Sequence, residues 1–369
     1  MRLAIFSDLH LDATFRSLGE AGDSRRVNLR NTLQNIIERA HEQKVDALLC
    51  GGDLYEDERS GPDTRAFLVS AFRECEMPVL LAPGNHDWYG PRSLYAEADW
   101  SENVHVFTTD SFEPYDGLDD GFTIWGAAHN APTGTPGFFK GGFRVPDDDS
   151  VHIGLFHGAE EGAIPYEVDR DGNPKSGHAP FTEKEIEASG LTHAFVGHYH
   201  SPKDRDLYTY PGSPDPLSFG ETNQPGLVIT DVNPDGSVEP PQRLKVWVTE
   251  VHDLPLNVTN AENSTDVLEQ HAELINGLTG FARITIQGTL NPDAELPIIR
   301  LQAERGQLEA QYLRIGSLIP AYDFGALIEE PSVRGGFVRR VMASDLAASE
   351  RNDVLTAGLK ALDDLPVSF

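Results

Sequence analysis

Two cysteines, Cys50 and Cys75, are too few to staple a chain of 369 residues. A disulfide-built secreted scaffold is therefore excluded, and a reducing cytoplasm is the expected compartment. No apolar run approaches the ~18 residues that a membrane-spanning helix needs, so no membrane association is expected. The N-terminus opens MRLAIFSDLH, where charged and polar residues begin too early for a secretory signal. Positive charge is scarce as well. Lys and Arg number 29 against 59 Asp and Glu, only seven of the 29 are lysine, and the net charge is −30. A protein that grips nucleic acid by phosphate neutralisation alone presents a basic face, and no segment here is basic. Diffuse acidity with little lysine suits solubility in a salty cytoplasm, where charges are screened.

What remains is an ordinary soluble composition, 39% apolar and 24% charged, long enough for one or two domains. Residues 2–7 form a short apolar run that empties into Asp8-Leu9-His10. Helical spacing of Val27, Leu29, Leu33, Ile36, Ile37 and Ala40 predicts a helix over 25–43. A buried strand follows at 47–50, stopped by Gly51-Gly52-Asp53, and Pro62 opens a second helix through Phe72. A third strand at 78–82 runs into Pro83-Gly84-Asn85-His86-Asp87. This alternation is the pattern of an α/β layered domain. Further strands are expected at 104–107, 122–126, 151–156, 192–196, 227–232 and 243–251. Residues 158–180 read as an excursion over the site. A new pattern begins beyond residue 254: helix 262–277, strand 281–287, helix 296–306, strand 311–319, then helices 337–346 and 350–362.

Five clusters each follow a predicted strand: Asp8-x-His10, Gly52-Asp53, Gly84-Asn85-His86-Asp87, His157, and Gly197-His198-Tyr199-His200. Strand ends of a mostly parallel sheet converge on one crevice, so distant residues can share a site. Carboxylate, imidazole and amide oxygen without thiolate suit manganese, iron or zinc in a near-octahedral site and argue against structural zinc.

The set DLH, GGD, GNHD, H and GHYH resembles the calcineurin-like metallophosphoesterase family. Within it the chain is most similar to the SbcD-type DNA-repair exonucleases, including the YhaO-like branch. GGDLYED, PVLLAPGNHDWYG, ENVHVF and TYPGSPDPLSFGE (209–221) carry that likeness, with FARITIQGTL (281–290) a looser match to the cap that follows the nuclease core. The resemblance implies an α/β fold: a four-layer αββα metallophosphoesterase sandwich over 1–254 and a smaller α+β capping domain over 255–369. It implies two divalent ions, most readily Mn2+, with Fe or Zn as alternatives. Asp8, His10, Asp53 and His200 would hold one, and Asp53, Asn85, His157 and His198 the other. His86 matches the family's non-ligating histidine, which protonates the leaving oxygen, and Asp87 is expected to orient it.

The function implied is a manganese-dependent DNA exo- or endonuclease of DNA repair. A phosphodiesterase or phosphatase acting on a nucleotide or other small phosphate ester is the rival, and the net charge favours it. A subunit that mainly regulates a coiled-coil ATPase is a third reading, which the intact ligand set disfavours. The resemblance allows an SbcC-like or YhaN-like ATPase partner and a homodimer. Related chains often carry a helical extension for that ATPase, whereas this one stops at Phe369, soon after the helix at 350–362. Extended DNA binding would need scattered arginines such as Arg16, Arg25, Arg26, Arg30 and Arg92. Of these, Arg25, Arg26 and Arg30 read better as decoration of the first helix's solvent face. Tyr55, Trp88 and Tyr89 suit stacking on a nucleobase or core packing equally. His129 and His178 fall in predicted loops from which they could reach the crevice, although surface or core roles fit them better.

Overall fold

The computed structural model describes residues 1–15, 21–119, 121–161, 178–221, 226–259, 261–290 and 296–363. Much of the excursion expected at 158–180 lies outside the described residues. The chain divides into two compact units, Met1–Val251 and His252–Phe369.

The first unit runs β1 (Arg2–Phe6), α1 (Ala21–Gln43), β2 (Ala47–Cys50), α2 (Pro62–Arg73), β3 (Val79–Leu81), α3 (Leu94–Glu97) and β4 (Val104–Val106). It continues through β5 (Glu113–Tyr115), β6 (Phe122–Gly126), β7 (Val151–His157), α4 (Glu183–Ser189) and β8 (His193–Gly197). Then come β9 (Lys203–Asp204), β10 (Tyr208–Tyr210), β11 (Leu227–Asp231) and β12 (Gln242–Leu244). Among the described residues two six-stranded sheets result, ordered β12-β11-β1-β2-β3-β4 and β5-β6-β7-β8-β10-β9.

The apolar runs of β1, β2 and β3 are explained by burial on both faces. Leu3, Ile5, Ala47, Leu49 and Leu80 meet Ile124, Ile153, Leu155 and Phe195 of the other sheet. The alternate residues Ala4, Phe6, Leu48, Cys50, Val79 and Leu81 pack under Leu29, Leu33 and Ile36 of α1 and Leu68 and Phe72 of α2. On the far side Phe156, Ala194 and Val196 pack with Ile186 of α4 and with Phe138, Phe139 and Phe181. The order is helix, sheet, sheet, helix, the four layers expected, and Cys50 is the small buried hydrophobe its strand pattern suggests.

Sheet direction positions the site. Strands β1 to β4 are mutually parallel, as are β6, β7, β8 and β10, so their C-terminal loops gather.

The second unit carries β13 (Val251–Asn257, beginning at the junction), α5 (Ser264–Leu274), β14 (Phe281–Leu290), α6 (Ile298–Ala303) and β15 (Ala310–Pro320). Its sheet is ordered β13-β14-β15, with Val267, Leu268 and Leu301 packing on Ala282, Ile284 and Ile286. Three helices follow, α7 (Phe324–Glu329), α8 (Val333–Met342) and α9 (Ala348–Leu362), around Leu327, Val338, Val341, Leu355 and Leu359. Among the described residues no helix is long and apolar enough to cross a membrane.

Three expectations are corrected. The strand expected at 243–251 is interrupted between β12 and β13. Here Val246 O accepts from Asn35 Nδ2 (2.9 Å) and Val248 N donates to Asp215 Oδ2 (3.1 Å), so side chains take the bonds a strand neighbour would need. The helix expected at 337–346 instead spans Val333–Met342, because Ser332 caps it by accepting from Gly335 N. Arg25 is not solvent decoration. It is 2% exposed and pairs with Asp215, Nη1 to Oδ1, at 2.7 Å.

Candidate metal centre

The loops leaving β1, β2 and β8 are held in unusual backbone conformations. Seven described non-glycine residues have positive φ, and Asp8 (56°), His10 (51°), Asp53 (51°) and His198 (117°) are four of them. Such conformations cost of order 1–3 kcal/mol each and persist where the surroundings over-determine them. Those surroundings are visible. Asp8 N donates to Gly52 O and His10 N to Asp53 O, each at 2.9 Å, while Gly51 N reaches back to Phe6 O. Close approach also explains a motif glycine: a Cβ on Gly84 would lie 2.3 Å from Asp53 Oδ1.

The five clusters come together in one place. Asp53 Oδ2 lies 3.5 Å from His10 Nε2 and 3.3 Å from His157 Nε2, between two groups of side chains. On one side, His200 Nε2 is 3.9 Å from Asp8 Oδ1. On the other, His157 Nε2 is 3.1 Å from Asn85 Oδ1 and 3.2 Å from His198 Nδ1. Ligand atoms of Asp8, His10 and His200, of Asp8, Asp53 and His157, and of His10, Asp53 and His86 lie within 4.8 Å of one another. Asp8, His10, Asp53, Asn85, His157 and His198 are buried, while His86 and His200 sit at the rim.

These donors suit a divalent cation on an observation independent of motif. His10 Nε2 is buried and has no hydrogen-bond partner. Burial outweighs the hydrogen bond that His10 donates to Glu56 and pushes the His10 imidazole down to about 4, so the ring is neutral and keeps a lone pair to offer. Burial opposes ionisation of Asp53, yet the charges of His157 and His86 outweigh it and hold the carboxyl well below its usual range. A buried anion beside an unsatisfied imidazole nitrogen, with oxygen and nitrogen donors only, fits manganese, iron or zinc.

Acceptors behind the rings fix which nitrogen faces inward. Glu56 Oε1 holds His10 Nδ1 at 2.9 Å, Gly51 O holds His157 Nδ1 at 2.9 Å, and Glu221 Oε1 holds His200 Nδ1 at 3.1 Å. Each leaves Nε2 toward the centre. His198 is turned the other way and presents Nδ1 to His157. Glu56 Oε2 also holds His86 Nδ1 at 3.0 Å. Burial works against ionisation of Glu56, but its bonds to His10 and His86 prevail and lower it well below the usual carboxylate range. Glu221 is likewise opposed by burial and brought down to about 2 by His200.

Glu56 and Glu221 were missed as functional residues, although both lie in segments whose likeness is noted above, GGDLYED and TYPGSPDPLSFGE. Asp87 does not orient His86. Its oxygens accept from Gly84 N (2.6 Å), Asp53 N (3.1 Å), Leu54 N (2.7 Å) and Tyr95 Oη (2.7 Å), which makes it the staple between the β2 and β3 loops. Burial, then the Asp53 charge, raises it to about 6. Tyr55 is fully buried and packs against Tyr95, so it offers no stacking face; Trp88 and Tyr89 are half-buried. His129 is fully buried with its ring 5.6 Å from that of His157, and the His178 ring lies 5.5 Å from that of His198.

A double-sheet sandwich whose strand ends converge on carboxylates, imidazoles and an amide defines a metal-dependent phosphoesterase. The family model of the calcineurin-like phosphoesterases matches residues 1–216, and the chain belongs to that family. It is 25% identical over 331 residues to the uncharacterised metallophosphoesterase YhaO of Bacillus subtilis, covering 82% of this chain and 74% of that one. It is 24% identical over 268 residues to the DNA double-strand break repair protein Mre11 of Methanopyrus kandleri, covering 65% of this chain and 56% of that one. The Mre11 protein of Aeropyrum pernix is 26% identical over 255 residues, 63% of this chain and 58% of its own. The chain thus spans little more than half the length of the two Mre11 proteins.

Proposed function

We propose that this phosphoesterase is a two-metal-ion phosphodiesterase that cleaves DNA, with Mn2+ as its working ion. Asp8, His10, Asp53 and His200 would hold one ion, and Asp53, Asn85, His157 and His198 the other. When bound, such ions would supply Lewis-acid polarisation of a phosphoryl oxygen and lower the pKa of the attacking water. The protein's part is to hold these donors and to supply a proton. Asp53 carries the reading: one carboxylate oxygen faces histidines of both groups, at 3.5 Å and 3.3 Å. His86 is 29% exposed at the rim, with Nδ1 committed to Glu56, so Nε2 is the nitrogen that would protonate the leaving oxygen. Two positive ions against a site this acidic would also draw a phosphodiester to a protein of net charge −30.

DNA as substrate is supported by the two Mre11 relatives. The segment 255–369 would help position DNA rather than perform chemistry, and a coiled-coil ATPase partner and a homodimer belong to the same reading. The overall acidity favours a second one, hydrolysis of a small phosphate ester at the same centre. Digestion of end-labelled duplex and single-stranded DNA with Mn2+, beside a generic phosphodiester, separates them. Cleavage of the generic ester with DNA left intact would overturn the nuclease reading.

A further inference from the structure

Residues 213–221 leave β10 as a loop punctuated by Pro214 and Pro216, with no helix or strand of its own. Its shape comes from anchors. Asp215 is fully buried, with Oδ1 on Arg25 Nη1 (2.7 Å) and Oδ2 accepting from Thr32 Oγ1 (2.8 Å) and Val248 N (3.1 Å). Pro216 O accepts from Arg25, and Ser213 N donates to His200 O at 2.9 Å. The loop is thereby tied to α1 at one point and to the GHYH turn at another. At its far end Glu221 is itself held, by Ser218 Oγ (3.0 Å) and Leu217 N (3.0 Å), and it places Oε1 on His200 Nδ1.

We propose that Glu221 is a positioning residue for His200 and supports only one of the two ion sites; this rests on the two-ion reading above. An acceptor at Nδ1 fixes the tautomer and leaves the Nε2 lone pair toward Asp8, and it restricts rotation of a ring that is 16% exposed at the rim. Tolerances in such sites are a few tenths of an ångström, so a rim histidine on a coil loop needs a fixed stop. The support is selective. Among the described residues the partners of the Glu221 carboxylate are His200, Leu217 and Ser218, none of them in the Asn85, His157 and His198 group. That group has its own stop, Gly51 O on His157. The buried Arg25–Asp215 pair then acts at one remove, as the foundation of the loop that carries Glu221.

The test uses the full-length, metal-free protein and its Glu221→Ala and Glu221→Gln variants, titrated with MnCl2 by calorimetry. Loss of a carboxylate behind a ligating histidine weakens binding by about 10–100-fold. Glu221→Ala should show that loss at one of two sites and an unchanged second site. Glu221→Gln keeps an oxygen for Nδ1–H, so its loss at that site should be several-fold smaller, with the melting temperature of the metal-free protein unchanged. Imidazole 15N–1H spectra without metal should show His200 protonated at Nδ1 in the wild type and in Glu221→Gln. That signature should be lost in Glu221→Ala. Two unaffected sites, or two sites weakened together with a lowered melting temperature in both variants, would overturn the proposal. If the wild type takes up fewer than two ions, the two-ion reading fails, and the tautomer comparison still decides whether Glu221 positions His200.

Discussion

Glu56 holds His86 Nδ1 at 3.0 Å with one carboxylate oxygen while its other oxygen holds His10 Nδ1 at 2.9 Å. The two rings stand edge to face with centroids 4.7 Å apart. A single side chain therefore orients both a proposed metal ligand and the proposed proton donor. Moving one ring disturbs the stop of the other, so the two functions are coupled through Glu56.

This coupling separates two substitutions. In His86→Gln the metals should stay bound while turnover falls by roughly 10²–10⁴, the usual worth of a general acid. In Glu56→Gln the amide offers one oxygen to two Nδ1–H groups, so one imidazole must turn or change tautomer. Turnover and metal content should both fall there. Metal analysis beside steady-state rates checks the pair, and loss of metal in His86→Gln would move that residue among the ligands.

Asp53→Ala should abolish activity more completely than any other ligand change, with metal occupancy falling toward zero. The reason is geometric, since Asp53 Oδ2 faces histidines of both groups. A variant that retains two ions and most of its rate would remove Asp53 from both ligand sets.

Gly84→Ala probes the motif glycine rather than a ligand. Its Cβ would meet Asp53 Oδ1 at 2.3 Å and Asp53 N at 2.7 Å, both in a buried residue. Overpacking of this kind costs about 1–3 kcal/mol. Calorimetric unfolding should show that loss, together with weaker Mn2+ uptake than in the wild type, because the displaced oxygen belongs to Asp53.

The layered fold was legible because double-covered strands read as short apolar runs, such as Ala47–Cys50, and because Gly51 stops the second run and Pro83 the third. The helix α4 was not read, although Thr182 and Glu185 form its capping box; seven residues are too few for a periodic pattern. Likewise β9 and β10 are short strands made by tertiary pairing. Within the site, sequence adjacency misled. Asp87 follows His86, but their side chains serve different partners, one stapling backbone amides and the other facing Glu56. Glu56 and Glu221 escaped for the converse reason. Their roles exist only in pairings with residues 46, 30 and 21 positions away.

His193 gives the pH dependence of folding away from the metal centre. It opens β8, is 4% exposed, and lies 3.1 Å from Thr209 Oγ1 through Nε2. Burial lowers its imidazole to about 4, against smaller opposing effects of the Asp206 backbone and the Asp204 charge. The unfolded chain titrates near ~6.5, so between about pH 6.5 and 4 it binds more protons than the folded protein. Stability from this residue is therefore fully present above about pH 6.5 and is lost as pH falls toward 4, by up to roughly 3 kcal/mol. A glutamine side chain cannot titrate, so His193→Gln should flatten that part of the profile even if its stability at pH 7.5 is lower. Melting of the metal-free proteins at pH 7.5, 6, 5 and 4.5 reads the difference, since ligand histidines titrate alike in both. Parallel profiles for the two proteins would show that His193 takes up no excess protons on unfolding and would place the acid sensitivity elsewhere.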